Sequence, residues 1–313
     1  MKKDNTLPLS IIVCTYNREK YILKNLQHCY NQTLPKNQYE VILVNNNSPD
    51  NTEEICLKFK EEHPDLQMTY ANEKNQGHTW ARNRGIKESS GAIISFLDDD
   101  AFVYPDYAEN LVKYFQKDPE VRGIGGRLYP VYEGFEEPNW MSKYLLTMVA
   151  ALDKGEEVVP FKGNKFPIGA NMAFRADTFE KYGLFDVELG RRGSGLEGGD
   201  EKELAIRLNR DNQKLMYLPN VKADHIIPHK RVEMWYIKGL AVGIGHSEQR
   251  RLKKEPTSVT VKKVISELIK IGGTVILFFI YALKGQFSKG WMLVKFRYWI
   301  TSGFLTKPPA IKN

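Results

Sequence analysis

Ile93-Ile94-Ser95-Phe96-Leu97-Asp98-Asp99-Asp100 carries a short, β-prone, mostly apolar run straight into three carboxylates. The run has the length and composition of a buried strand, and the acids fall where such a strand reaches a rim. Successive residues of an extended chain alternate sides, so Asp98 and Asp100 are expected to share one face and Asp99 to take the other. Two carboxylates so placed suit a hard divalent cation, which in turn suits a diphosphate. An acidic cluster alone is equally the mark of a solvated turn before Pro105, so its meaning depends on the rest of the chain.

Three further stretches repeat the pattern of an apolar run followed by a polar loop. Leu9 to Cys14 precedes Thr15-Tyr16-Asn17-Arg18, Tyr39 to Val44 precedes Asn45 to Asp50, and Gln67 to Ala71 precedes Asn72 to Gly77. The segments between them, Glu19 to Gln32, Asn51 to His63 and Thr79 to Ser89, place apolar residues at helical spacing. Strands alternating with helices predict a parallel sheet covered on both faces. In such sheets ligands collect at the carboxyl ends of the strands, so all four polar loops are expected on one edge. Beyond Asp100 the sequence predicts a helix over Pro105 to Gln116, a strand over Gly123 to Tyr129, and a loop entering a strand from Phe166 to Phe174. Gly169 and Ala170 there are small enough to let a ligand approach the backbone. A glycine-rich loop follows from Gly190 to Gly198, and then Asp200-Glu201 opens a helix.

Composition narrows the class. The 313 residues are 42% hydrophobic and 27% charged, with no repeat or low-complexity tract, so one large α/β domain with an appendage or two domains are expected. The opening residues are too polar for a secretory core, and the three cysteines, Cys14, Cys29 and Cys56, lack metal-ligand spacing. Both features point to a reducing, cytoplasmic setting. The net charge of +7 is unevenly spread: from His229 onward there are 16 Lys and Arg against 4 Asp and Glu, while the remainder is acidic. Nucleic acid is not expected as a partner, because the front of the chain is acidic and carries no recognition motif.

The ordered blocks Ser10 to Arg18, Val44 to Asp50, Asn75 to Gly85, Phe96 to Asp100, Gly169 to Met172, Gly199 to Leu204, and His225 with Arg231 resemble the family 2 glycosyltransferases. The resemblance covers roughly residues 7 to 250. It implies a GT-A (Rossmann-like) α/β fold, a mostly parallel sheet flanked by helices, with a C-terminal helical appendage. It further implies an inverting transfer from a UDP-, GDP- or dTDP-sugar to a glycan or lipid-linked acceptor, with Mg²⁺ or Mn²⁺ as cofactor. By resemblance the donor side comprises Thr15, Tyr16, Asn17, Arg18, Asn46 near the base, Asn75, Gly77, Arg82, Asp98 and Asp99. Asp100 and Asp98 match the metal-binding acids, and His225 the histidine that completes or supports that site. Relatives carry acids where this chain has Asn45 and Asn46, which leaves the base identity open; an amide can still bond a pyrimidine edge. For the catalytic base, matching on Glu203-Leu204 selects Glu201 and matching on the aspartate selects Asp200. An inactive relative that serves as a binding partner and a nucleotidyltransferase are the alternatives. The latter class carries a glycine-rich loop after the first strand, where this chain has Thr15 to Arg18.

The expected division is a catalytic domain at 1–228, with a donor half at 1–100 and an acceptor half at 101–228, followed by a basic helical region at 229–313. In that region Gly239, Gly243 and Gly245 suggest close helix packing. An apolar stripe from Val261 to Leu283 faces away from Lys262, Lys263 and Lys270. Its uncharged stretch, Ile271 to Leu283, is shorter than the roughly 20 residues needed to cross a bilayer. A peripheral helical hairpin on the inner, anionic face of the cell membrane is therefore expected; packing on the catalytic domain and oligomerisation are the other uses of such a stripe.

Overall fold

The structure is a computed structural model describing residues 7–163, 165–191 and 195–308; the opening segment and Arg192 to Ser194 of the glycine-rich loop lie outside the described residues. The first half alternates as the sequence predicts: β1 (Leu7–Thr15), α1 (Glu19–Tyr30), β2 (Tyr39–Asn45), α2 (Thr52–Glu62), β3 (Gln67–Asn72), α3 (His78–Glu88) and β4 (Gly91–Asp98). Then come β5 (Ala101–Val103), α4 (Tyr107–Lys117), β6 (Val121–Tyr132), β7 (Val159–Pro160), β8 (Asn171–Arg175), α5 (Asp177–Tyr182), α6 (Asp200–Arg210) and β9 (Lys214–Ile227). Three helices close the chain: α7 (Met234–Leu252), α8 (Thr257–Leu283) and α9 (Phe287–Leu305).

The strands form one sheet in the order β3-β2-β1-β4-β8-β6-β9-β5, with β7 also on β9. The first four are mutually parallel, β8 runs against both β4 and β6, and β9 lies parallel to β6. Both faces are covered. On β1, Leu9, Ile11 and Val13 pack with Ile22, Leu26, Phe59, Leu111 and Phe115, while Ile12 and Cys14 belong to a second cluster with Phe174, Phe179, Phe185 and Leu204. This alternation is the strand period of two, and burial on both sides explains why β1 reads as an unbroken apolar run.

β4 ends at Asp98, so Asp99 and Asp100 lie in the turn into β5 rather than on the strand. Pleating therefore does not aim Asp100; the antiparallel return does. β5 sets Ala101 opposite His225 on β9, and the Ile226 amide donates to the Asp100 carbonyl at 2.9 Å. The 14-residue β9 went unpredicted because its polar residues, such as Lys222, Asp224 and His225, interrupt any apolar run.

The glycines of α7 do serve close packing. A Cβ on Gly245 would overlap the Ile300 carbonyl of α9, one on Gly303 the Val242 carbonyl, and one on Gly243 would fall 2.7 Å from the Leu196 carbonyl. α8 is different, because none of its residues is buried. Its apolar stripe points outward, with Leu268, Ile269, Ile276, Phe279 and Leu283 all exposed, so the stripe does not pack on the catalytic domain. Two of the expected polar-face lysines point inward instead: Lys263 pairs with Glu248 of α7 and with Glu267, and Lys270 also pairs with Glu267, which Arg297 of α9 meets at 2.9 Å. The length expectation also needs correcting. Ile271 to Leu283 is the second half of one unbroken 27-residue helix that is long and apolar enough to cross a bilayer by length and composition. In its first half Lys263, Glu267 and Lys270 are paired on the inner side with the help of Glu248 and Arg297, while Lys262 stays exposed beside the apolar stripe.

Candidate active site

The four polar loops meet, as predicted, at the carboxyl edge of the parallel strands, around a cleft of about 360 Å³. Thr15, Tyr16, Arg18, Asn46 and Gly77 line it from the first three loops, and Asp98, Asp99 and Asp100 form its floor. Residues that carried no assigned role in the sequence complete the wall: His78, Arg191, Leu196, Lys230, Trp235 and Tyr236. His78 and Arg231 at least sit within or beside recognisable blocks. Nothing in the pattern around Trp235, which is 61% exposed, announces a cleft residue.

Two nominated residues support the loops rather than line the cleft. Asn17 adopts a left-handed φ of 56°, and its amide donates to Ser48 Oγ at 3.0 Å. The Asn75 amide and side chain both donate to Glu73 Oε1 at 2.8 Å. Asn46 reaches the cleft, but its side-chain amide already donates to the Glu73 and Asn75 carbonyls, and its oxygen accepts from the Gly77 amide at 2.7 Å. It fixes the loop into α3.

Asp100 is fully buried. Arg231 Nη2 lies 2.8 Å from its Oδ2, Arg18 Nη2 3.5 Å from the same oxygen, and His225 Nε2 3.1 Å from its Oδ1. Burial pushes its carboxyl up, but the positive charges around it, Arg231 first among them, hold it well below the ordinary range. Asp99 turns aside to Arg18 Nε at 3.1 Å; burial raises its carboxyl against the pull of Arg18.

His225 is fixed by the Val149 carbonyl, 2.8 Å from Nδ1. A carbonyl only accepts, so Nδ1 carries a proton, and in the uncharged tautomer Nε2 presents a lone pair. Nε2 faces Asp100 Oδ1, and among the described residues Nε2, Asp100 Oδ1 and Asp98 Oδ1 are all buried without a hydrogen-bond partner. Their ligand atoms lie within 4.8 Å of one another. Three convergent, unsatisfied acceptors repel one another unless a cation sits among them, and a backbone carbonyl orienting the imidazole is the usual support of a metal ligand. The donor set of two carboxylates and one imidazole fits a divalent cation such as Mg²⁺ or Mn²⁺.

Opposite stands a second acidic pair. Asp200 and Glu201 open α6, where the helix dipole favours negative charge. Arg82, only 1% exposed, reaches both: Nη1 lies 2.5 Å from Asp200 Oδ2 and 3.1 Å from Glu201 Oε1, and Nη2 lies 3.9 Å from Asp98. Asp200 is buried, whereas the Glu201 side chain keeps 20% exposure. Burial and the Glu201 charge push Asp200 up against Arg82, to about 7. For Glu201, burial is outweighed by Arg82 and the carboxyl is held low. The two carboxylates thus share one cation, and burial disfavours charge more on Asp200 than on the partly exposed Glu201. Gly169 makes room for this pair rather than for a ligand: a Cβ there would collide with Arg82 Nη2 and Glu201 Oε1. Burial and then Arg82 keep His78, 3.6 Å from Asp98, well below the ordinary histidine value and thus neutral.

A family model described as Glycosyl transferase family 2 matches residues 10–183. The glucosyl-dolichyl phosphate glucuronosyltransferase of Haloferax volcanii is 22% identical over 253 residues, which cover 78% of this chain and 77% of that protein. The dolichyl N-acetyl-alpha-D-glucosaminyl phosphate 3-beta-D-2,3-diacetamido-2,3-dideoxy-beta-D-glucuronosyltransferase of Methanococcus voltae is 26% identical over 227 residues, 69% of this chain and 66% of that one. Among solved structures, the mannosyltransferase PcManGT from Pyrobaculum calidifontis in complex with GDP-Man and Mn²⁺ superposes with a TM-score of 0.68 at 18% identity, over 97% of this chain and 88% of that chain. S. aureus TarS 1-349 superposes at 0.55 and 16% identity, over 95% and 91%.

Proposed function

Because this chain belongs to glycosyl transferase family 2, we propose that it moves a sugar, with inversion, from a UDP-, GDP- or dTDP-sugar to a glycan or lipid-linked acceptor in cell-surface polysaccharide synthesis. It has the GT-A fold and is a glycosyl-transfer enzyme. The observation that supports metal dependence is the trio of unsatisfied acceptors, Asp98 Oδ1, Asp100 Oδ1 and His225 Nε2. These residues would hold Mg²⁺ or Mn²⁺, which when bound offsets the charge of the departing diphosphate. Thr15, Tyr16, Arg18 and Gly77 receive the nucleotide. Glu201, the more exposed and more acidic carboxylate of its pair, takes the proton of the acceptor hydroxyl as that oxygen attacks the anomeric carbon. Arg82 and the buried Asp200 hold Glu201 in place. A single displacement inverts the centre, with no carboxylate nucleophile.

We assign residues 1–100 to the donor, 101–228 to the acceptor, and 229–313 to attachment at the cytoplasmic face of the membrane. The outward apolar stripe of α8 supports attachment, the three unpaired cysteines accord with a reducing compartment, and the dolichyl phosphate acceptors in the names of the two relatives accord with a lipid-linked one. Fractionation tests attachment: protein that stays soluble at low salt without detergent refutes it.

The function itself is tested by thermal shift with UDP-, GDP- and dTDP-sugars, with and without Mn²⁺. A donor at 100 times its Kd should stabilise the fold by about 2.7 kcal/mol. Asp100→Ala should abolish the metal-dependent shift and Glu201→Gln should keep it while abolishing transfer. A panel with no metal-dependent shift for any donor would falsify the reading.

A further inference from the structure

The positive charges of the cleft fall into two groups. Arg18 and Arg231, which line it, and Arg82, buried beside it, each already face carboxylates: Asp99 and Asp100, Asp100, and Asp200 and Glu201 respectively. A ligand phosphate can claim these guanidinium groups only by displacing a buried aspartate, which is costly. Arg191 and Lys230 line the same cleft, and among the described residues neither side chain meets an acid. The Arg191 carbonyl accepts from the His78 amide at 2.9 Å, which holds Arg191 at the mouth of α3 beside Gly77. Lys230 directly precedes Arg231, whose guanidinium touches Asp100. The two uncommitted cations therefore flank the acidic floor from opposite sides of the chain, one on the loop before α6 and one after β9.

We infer that Arg191 and Lys230 bind the diphosphate of the donor and stabilise it as the leaving group, an inference that rests on the reading given above. The floor presents three aspartates, so a diphosphate there meets repulsion that a single divalent cation only partly offsets. As the bond between the anomeric carbon and the diphosphate oxygen breaks, its electron pair stays on that oxygen. The acceptor oxygen bonds to the same carbon and its proton passes to Glu201. Negative charge thus grows on the diphosphate while the charge on Arg191 and Lys230 is fixed, and such contacts strengthen in the transition state.

The test uses inorganic pyrophosphate, which removes any dependence on the unknown base and sugar. The full chain, Arg191→Gln, Lys230→Gln, the double variant and Arg191→Lys are titrated with pyrophosphate and Mn²⁺ by calorimetry at two salt concentrations. Each single Gln variant should weaken binding about tenfold and the double variant about a hundredfold, at a charge-assisted hydrogen bond apiece. Arg191→Lys should recover part of the loss, and the salt dependence should flatten as charges are removed. With the donor found in the thermal panel, kcat should fall in the Gln variants while binding of the free nucleoside is unchanged. Among the described residues neither side chain has a partner to lose, so melting temperatures should match the parent. A double variant that binds pyrophosphate within twofold of the parent overturns the inference, as does a defect confined to the KM of the acceptor. A parent that binds neither pyrophosphate nor any nucleotide with Mn²⁺ overturns the reading of the site as well.

Discussion

Replacing Arg82 by Gln should damage stability and shift proton transfer together, because one buried guanidinium serves two carboxylates. In the structure Nη1 lies 2.5 Å from Asp200 and 3.1 Å from Glu201, and the group is also 5.6 Å from the centroid of the Phe185 ring. Removing one partner of a buried ion pair costs about 3–5 kcal/mol. Protonation relieves part of that here, since burial already raises the Asp200 carboxyl to about 7. The expected loss at pH 7 is therefore near the lower end, about 3 kcal/mol. Arg82→Lys should lose less, because an ammonium keeps the charge but cannot bridge both acids with a planar fork. Urea unfolding at a series of pH values measures this. Arg82 holds Glu201 below its ordinary 4.5, so that contribution is present above about 4.5 and lost as pH falls through the depressed value. The gap between parent and Arg82→Gln should accordingly narrow on acidification. In transfer assays the acidic limb of kcat/KM should move to higher pH, because Glu201 loses the charge that kept it ionised. An Arg82→Gln protein within about 0.5 kcal/mol of the parent at pH 7, or an acidic limb that moves down, refutes the reasoning.

Two further outcomes concern the C-terminal helices. Gly303→Ala should destabilise by about 1–3 kcal/mol in urea, because its methyl meets only Val242 backbone, which cannot yield. Gly272→Ala, with nothing within 4 Å, should instead stabilise by about 0.5–1 kcal/mol; equal stabilities for the two variants would remove the packing argument. Glu248→Gln should loosen α8, since Glu248 meets Lys202 at 2.6 Å and Lys263 at 2.8 Å. Burial raises the Glu248 carboxyl, but Lys202 and Lys263 outweigh it and hold it far below 4.5. Its stabilisation is fully present above about 4.5 and is lost progressively as pH falls through the depressed value, so proteolysis around residue 256 should separate parent from variant at pH 7, and the gap should narrow without closing at pH 3.

The parallel half of the fold was legible because burial on both faces turns each strand into a plain apolar run, and because each run stops at a polar loop. The same logic failed for β9, whose alternate residues face polar partners, and for the two-residue β7. The positions of Asp98, Asp100 and His225 could be named from the ordered blocks. Their convergence could not, since it depends on β5 folding back to pair Ala101 with His225. Gly169 shows the limit of reading a small residue as open space: the room it leaves is filled by Arg82 and Glu201. Charge periodicity on α8 grouped Lys263 and Lys270 on one face but wrongly added the exposed Lys262, and it did not show which face turns inward. The ion pairs to Glu248 and Glu267 decide that, and they join segments far apart in sequence.

α8 joins two helices that pack on each other yet buries no side chain of its own, while α9 buries Gly290, Met292, Leu293 and Gly303. For anyone preparing the protein, the two helices thus demand opposite treatment. Cutting the chain before residue 256 would strip α9 from Val242 and Gly245 and uncover a seam built for backbone contact. Rewriting the outer side of α8 with polar residues, and leaving Lys263, Glu267 and Lys270 in place, alters nothing that the interior relies on. The outer side of α8 thus owes nothing to the fold and answers only to the surface it meets, whereas its inner charges answer to the helices behind them.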